Sequence, residues 1–182
     1  MTHRLARFVV ALVSVAALAV AGAAAGGAST ATAHCAPGSL SAVFVNASGA
    51  AGSVIAEYGF RNDGSSACRL EGFPTVQMLK SSGAKLSTTE QHAAPGALGI
   101  TEKTVVLKPK AVAYFGVDYP AQTGFGNLHC PTSASLRLTA PGASDSLVLH
   151  GRGANINAYG GSEVALHCGI LRVTPVSADK FQ

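Results

Sequence analysis

The chain has 182 residues, with 13 Lys and Arg, 9 Asp and Glu, 6 His, 4 Cys, no Trp and a net charge of +4. Its length fits one domain, and its composition of 12% charged and 48% apolar residues excludes an unfolded polar chain. No block of five like charges occurs anywhere, so nucleic acid has no electrostatic foothold.

The chain opens as an export signal. His3, Arg4 and Arg7 make a positive start, no charge follows from Phe8 to Ala25, and small residues lead to Ala31-Thr32-Ala33. Ala31 and Ala33 suit the narrow subsites of a signal peptidase. Cleavage is placed before His34, with Ala25 as a second position, which makes residues 1–33 a signal peptide and 34–182 a single domain. An uncleaved anchor fits less well. The run approaches the ~18 residues of a spanning helix, but it turns Ala/Gly-rich after Val20. Lipidation of Cys35 is rejected, because His34 stands where a small residue belongs and Thr32 where Leu or similar belongs.

Beyond the signal, period-two alternation dominates. Leu40, Ala42 and Phe44 alternate with Ser41, Val43 and Val45 as an early strand. Asn46-Ala47-Ser48 fits the N-glycosylation pattern and is read as a turn. Val54, Ala56, Tyr58 and Phe60 oppose Ile55, Glu57, Gly59 and Arg61 in the cleanest half-buried strand, which Asn62-Asp63-Gly64-Ser65 ends. Cys68-Arg69-Leu70 and Thr75 to Lys80 are further strands, separated by a bend at Gly72-Phe73-Pro74. Ser81-Ser82-Gly83 turns the chain, and residues 87–101 read as a polar loop. Thr104 to Leu107 is a strand, and Ala111 to Asp118 another. Residues 119–134 form a loop containing Cys130. Strands around Leu136–Leu138 and Leu147–Leu149 follow, then a loop from Gly151 to Gly161 and a last strand from Ile170 to Val176. About eight short strands without an amphipathic helix predict an all-β fold, an antiparallel immunoglobulin-like β-sandwich, with a closed barrel second.

Cys35, Cys68, Cys130 and Cys168 all lie beyond the signal. An even count in an exported chain predicts two disulfides, with three pairings open. His precedes Cys at His34-Cys35, His129-Cys130 and His167-Cys168, which raises metal binding as a rival. No C-x-x-C or H-x₃-H spacing supports it, and adjacent strand residues point to opposite faces. No metal and no cofactor is expected.

Catalytic patterns are missing. G-x-S-x-G, G-x-x-x-x-G-K-[ST], H-E-x-x-H and a full G-x-G-x-x-G do not occur. Ser144, Asp145, Ser146 and His150 suggest a triad, but the first three sit in a turn and His150 ends a strand. Binding is the stronger reading. Tyr119, Phe125, Asn155, Asn157 and Tyr159 fall in predicted loops, where rings and amides can stack on and hydrogen-bond a ligand.

Several segments resemble a family. Gly49-Ala50-Ala51-Gly52-Ser53, Tyr58-x-Phe60-Arg61-Asn62 and Cys68-x-Leu70-x-Gly72-Phe73-Pro74-x-Val76 are similar to domain-of-unknown-function family 4232. Cys130-Pro131, Pro141-Gly142, Cys168 and Val173-Thr174-Pro175-Val176 continue the likeness. The resemblance implies an exported actinobacterial envelope protein with a β-sandwich, no established activity, and pairing of the first two and the last two cysteines. One departure stands out. The family tends to carry Leu-x-Pro-Gly where this chain has Leu107-Lys108-Pro109-Lys110, and Lys110 lacks the backbone freedom of Gly.

The expected protein is therefore a non-enzymatic module, secreted or wall-associated, that binds an envelope ligand or protein. It is expected to be monomeric, with no membrane span after cleavage. The alternatives are an unrecognised extracellular hydrolase or a His/Cys metal-binding protein.

Overall fold

The structure is a computed structural model that describes residues 31–50, 52–121, 130–151 and 164–181. The described residues form an all-β fold of ten strands. These are β1 (Leu40–Ala50), β2 (Ser53–Asn62), β3 (Cys68–Leu70), β4 (Thr75–Leu79), β5 (Thr89–His92), β6 (Val105–Leu107), β7 (Val112–Pro120), β8 (Ser135–Thr139), β9 (Leu147–His150) and β10 (Ile170–Val173). A five-stranded sheet runs β1-β2-β7-β10-β5, a three-stranded one β4-β8-β9, and β3 pairs with β6. No described helix is long and apolar enough to cross a membrane.

Alternation sets which side of the five-stranded sheet is core. Val54, Ala56, Tyr58 and Phe60 of β2 and Ala113, Phe115, Val117 and Tyr119 of β7 turn inward. There they join Val76 and Met78 of β4 and Leu136 and Leu138 of β8 in one cluster that draws on all three sheets. Phe60 and Phe115 stack with centroids 5.2 Å apart, and Tyr58 lies 5.8 Å from Phe115. Aromatic pairs at such separations contribute about 0.5–1.5 kcal/mol beyond their buried area.

Four expectations are corrected. Asn46-Ala47-Ser48 is strand, because a bulge at Val45 shifts the register between Phe44↔Tyr58 and Asn46↔Glu57. The extra residue reverses the alternation: Phe44 and Ala47 pack on the core, and Asn46 and Ser48 join the outer face. Thr89–His92 is not loop but a strand parallel to β10, so the sheet is not purely antiparallel. Tyr119 belongs to β7 rather than to a loop, and its inward position leaves it 4% exposed. The last strand stops at Val173, and the residues beyond it continue irregularly along β7, where the Thr174 N–H donates to the Gly116 carbonyl and Ser177 bridges to Tyr114.

Both cross-links follow the expected sequential pairing, Cys35–Cys68 and Cys130–Cys168. The first ties the entry to β1 onto β3, where the Arg69 N–H also donates to the Ala33 carbonyl and Arg69 Nε to the Thr32 carbonyl. The second joins the segment before β8 to the segment before β10.

Candidate functional site

The outer face of the five-stranded sheet carries the described polar groups that packing leaves unsatisfied. Pairing in register lines up Ser48, Ile55, Asp118 and Arg172 in one row across four strands. The next row reads Asn46, Glu57 and Gly116, with the Thr174 hydroxyl accepting from the Gly116 N–H at 2.9 Å. Cross-strand partners share a face, so these side chains stand together.

Gly116 decides what covers this face. A Cβ there would stand 3.1 Å from the Phe181 ring and 3.2 Å from Leu98. The missing side chain lets the residue 93–101 segment and the C-terminal segment close over the sheet. Beneath them lies Glu57, 1% exposed. Its Oε1 accepts from the Phe181 N–H at 2.7 Å, whereas Oε2 is buried without a hydrogen-bond partner among the described residues. Asp118 is similar: Oδ2 meets Arg172 at 3.0 Å, and Oδ1 is buried and unpartnered among the described residues. Buried polar atoms are nearly always paired, so two such oxygens on one face call for donors from elsewhere.

Three adjoining depressions follow the two rows. One of about 280 Å³ is lined by Asn46, Ser48, Ile55, Glu57, Leu98 and Phe181. A second, about 220 Å³ and largely apolar, shares Ile55 and Leu98 with the first and adds Asp118 and Arg172. A third, about 410 Å³, lies between Ser53, Asp118, Pro120, Ile170 and Arg172 and reaches Tyr119. The shared residues make one band across the sheet.

Of the five residues proposed from sequence as a ligand surface, only Tyr119 is described, and it lines the third depression. Phe125, Asn155, Asn157 and Tyr159 lie outside the described residues. Burial pushes the Tyr119 phenol up to about 12. Its ring lies 6.0 Å from that of His167, whose pKa burial lowers and whose Nδ1 is hydrogen-bonded to the Thr132 hydroxyl at 2.9 Å. A hydroxyl hydrogen-bonded to an imidazole is a starting point for nucleophilic chemistry. Neither Thr132 nor His167 lines any of the three depressions, however. Within Ser144–His150, the Asp145 carboxylate accepts from the Gly38 N–H at 3.0 Å, which ties the acid to a neighbouring turn. The four cysteine sulfurs are all in disulfides, so no thiolate remains for a metal. Among the described residues no three His, Cys, Asp or Glu side chains are grouped to hold one.

Glu57 and Asp118 were missed as site residues. Each appears in the sequence as the polar member of an alternating strand. The available signal was the glycine between their positions across β2 and β7, since a bare outward position invites a covering segment.

No curated protein and no solved structure matches the chain. The profile of a domain of unknown function, DUF4232, matches residues 35–177, and the chain belongs to that family.

Proposed function

We propose that this chain is an exported, non-catalytic binding module of the actinobacterial envelope, secreted or held at the wall. It acts as a monomer and takes its partner on the outer face of the five-stranded sheet. The observation that carries this reading is the pair of buried carboxylate oxygens on Glu57 and Asp118, without a partner among the described residues, beside a continuous band of depressions. Disulfides persist in oxidising compartments, which supports export. Cleavage before His34 gives up the two hydrogen bonds from Arg69 to Thr32 and Ala33, while cleavage at Ala25 keeps them.

The test is co-sedimentation of the exported protein with purified actinobacterial cell walls. Ile170 is 51% exposed at the edge of the band, and Val148 on β9 of the three-stranded sheet is similarly exposed. Ile170→Glu is expected to weaken wall binding about fivefold or more and Val148→Glu to leave it unchanged, since a buried charge at a contact costs more than one outside it. Absence of wall binding by the parent protein, or equal binding by both variants, refutes the reading.

A further inference from the structure

We infer that the Glu57 cavity is a site for the primary ammonium group of a small amine ligand; this deepens the binding role proposed for the outer face. The carboxylate is almost wholly buried and one of its oxygens has no donor among the described residues. Asn46 stands directly opposite Glu57 in register and Ser48 opposite Ile55, so a neutral amide and a hydroxyl border the same space. Leu98 and Phe181 close the opposite side as an apolar collar. The cavity is bordered by one carboxylate that the cover hides from water, two neutral polar groups and a hydrocarbon wall, so a ligand reaches the free oxygen by displacing part of the collar.

Three comparisons select the ligand class. A neutral hydroxyl would satisfy the free oxygen but leave the carboxylate charge unbalanced in a poorly hydrated place. A guanidinium gains its advantage by engaging both carboxylate oxygens, and Oε1 is already held by the Phe181 N–H. A divalent cation of the calcium type needs six or more oxygen ligands, and one carboxylate with one amide and one hydroxyl falls short. An ammonium group is a compact point charge with three donors, matching one free carboxylate oxygen flanked by an amide and a hydroxyl. At about 280 Å³ the cavity lies just under the usual range for drug-sized ligands. The amine is therefore short, with a hydrocarbon stem of a few carbons against Leu98 and Phe181.

The experiment is an NMR titration of the isotope-labelled exported protein with 1-aminopentane, 1-pentanol and pentylguanidinium at constant pH and ionic strength. Saturable shifts at Asn46, Glu57 and Phe181 are expected with the amine. Weaker binding is expected with the guanidinium and none with the alcohol. Glu57→Gln keeps the shape and an acceptor for the Phe181 N–H, and it is expected to weaken the amine about tenfold or more, the size of a lost charge-assisted hydrogen bond. Phe181→Ala opens the collar without touching the charge, and is expected to weaken the amine less. If pentanol binds as well as the amine, or Glu57→Gln binds it undiminished, the ammonium assignment falls while the binding face stands. If no probe shifts these residues, the cavity is not a ligand site, and the wall assay alone then decides the role of the face.

Discussion

Replacement of Lys110 offers a direct test of how the β2–β7 end is built. Lys108, Pro109, Lys110 and Ala111 form a turn closed by the Ala111 N–H donating to the Lys108 carbonyl at 3.0 Å. Pro109 presets the second position, and Lys110 sits third with φ of 70°, in the left-handed region. The turn has no freedom to change type. The Lys110 N–H donates to the Asn62 carbonyl at 2.7 Å and the Asn62 N–H to the Ala111 carbonyl at 2.9 Å. A side chain in that region costs about 1–2 kcal/mol. Glycine removes this cost but gives the unfolded chain about 0.4–1 kcal/mol of extra freedom. Lys110→Ala keeps the strain and, like Lys110→Gly, loses the contact from Lys110 Nζ to Asp63 Oδ1 at 3.4 Å. That loss is common to both variants and cancels. The glycine variant is therefore expected to be more stable than the alanine variant by about 0.8 kcal/mol, or about 2 °C in Tm for a chain of this size. Ordinary positions show the opposite order. Urea unfolding of the two variants, with equal slopes, measures the difference. An alanine variant as stable as the glycine variant, or more so, would refute the reasoning.

Two further outcomes test the cross-links and the half-buried acid. Cys35→Ser with Cys68→Ser removes a link spanning 33 residues and is expected to cost about 4 kcal/mol in urea unfolding; a loss under about 1 kcal/mol would show that the unfolded chain is already compact there. Burial raises the Glu90 pKa even though Oε2 accepts from the Val76 N–H at 2.6 Å. The folded state thus holds this proton more tightly than the unfolded chain, and its contribution is fully present below the unfolded pKa and lost as pH rises through the folded one. Glu90→Gln removes that slope, so the variant is expected to gain on the parent as pH rises from the ordinary glutamate value of 4.5 through the raised folded one. Unfolding curves with the same pH dependence for both proteins would contradict it.

Legibility in the sequence tracked how local the cause of each element is. β2 and β7 stand out because the inward positions Val54, Ala56, Tyr58 and Phe60 and Ala113, Phe115 and Val117 are all apolar core residues at period two, although the outward Glu57, Gly59 and Gly116 are buried as well. β5 gives no such signal. Its side chains are exposed or half-buried, and backbone pairing to β10 holds it. The second half of β1 is hidden for another reason: the bulge at Val45 reverses the alternation, and a reversed alternation looks like the end of a strand. Lys110 is the converse case. A departure of one residue from the family pattern marked a turn, and the backbone there takes the left-handed conformation that the pattern's glycine would accept without strain.

The candidate site was the least legible part, because its two carboxylates depend on contacts between distant segments. Alternation correctly sends Glu57 and Asp118 to the outer face, where a carboxylate is ordinarily solvated. What changes their chemistry is the segment around Leu98 and the C-terminal segment around Phe181, which lies 124 residues from Glu57. No pattern within β2 reports that cover. Gly116 does report crowding above its strand, since a Cβ there would press on Phe181 and Leu98, whereas a Cβ on Gly59 would meet Val112 and Val43 of the two flanking strands. An outward glycine in an otherwise side-chain-rich strand can thus indicate where a second layer comes down. A charged residue in register with such a glycine is buried by that layer, and at Glu57 only one of its two oxygens gains a donor among the described residues. The cover that isolates the carboxylate from water also leaves the cavity beside it, so burial and the vacant acceptor have a single structural cause.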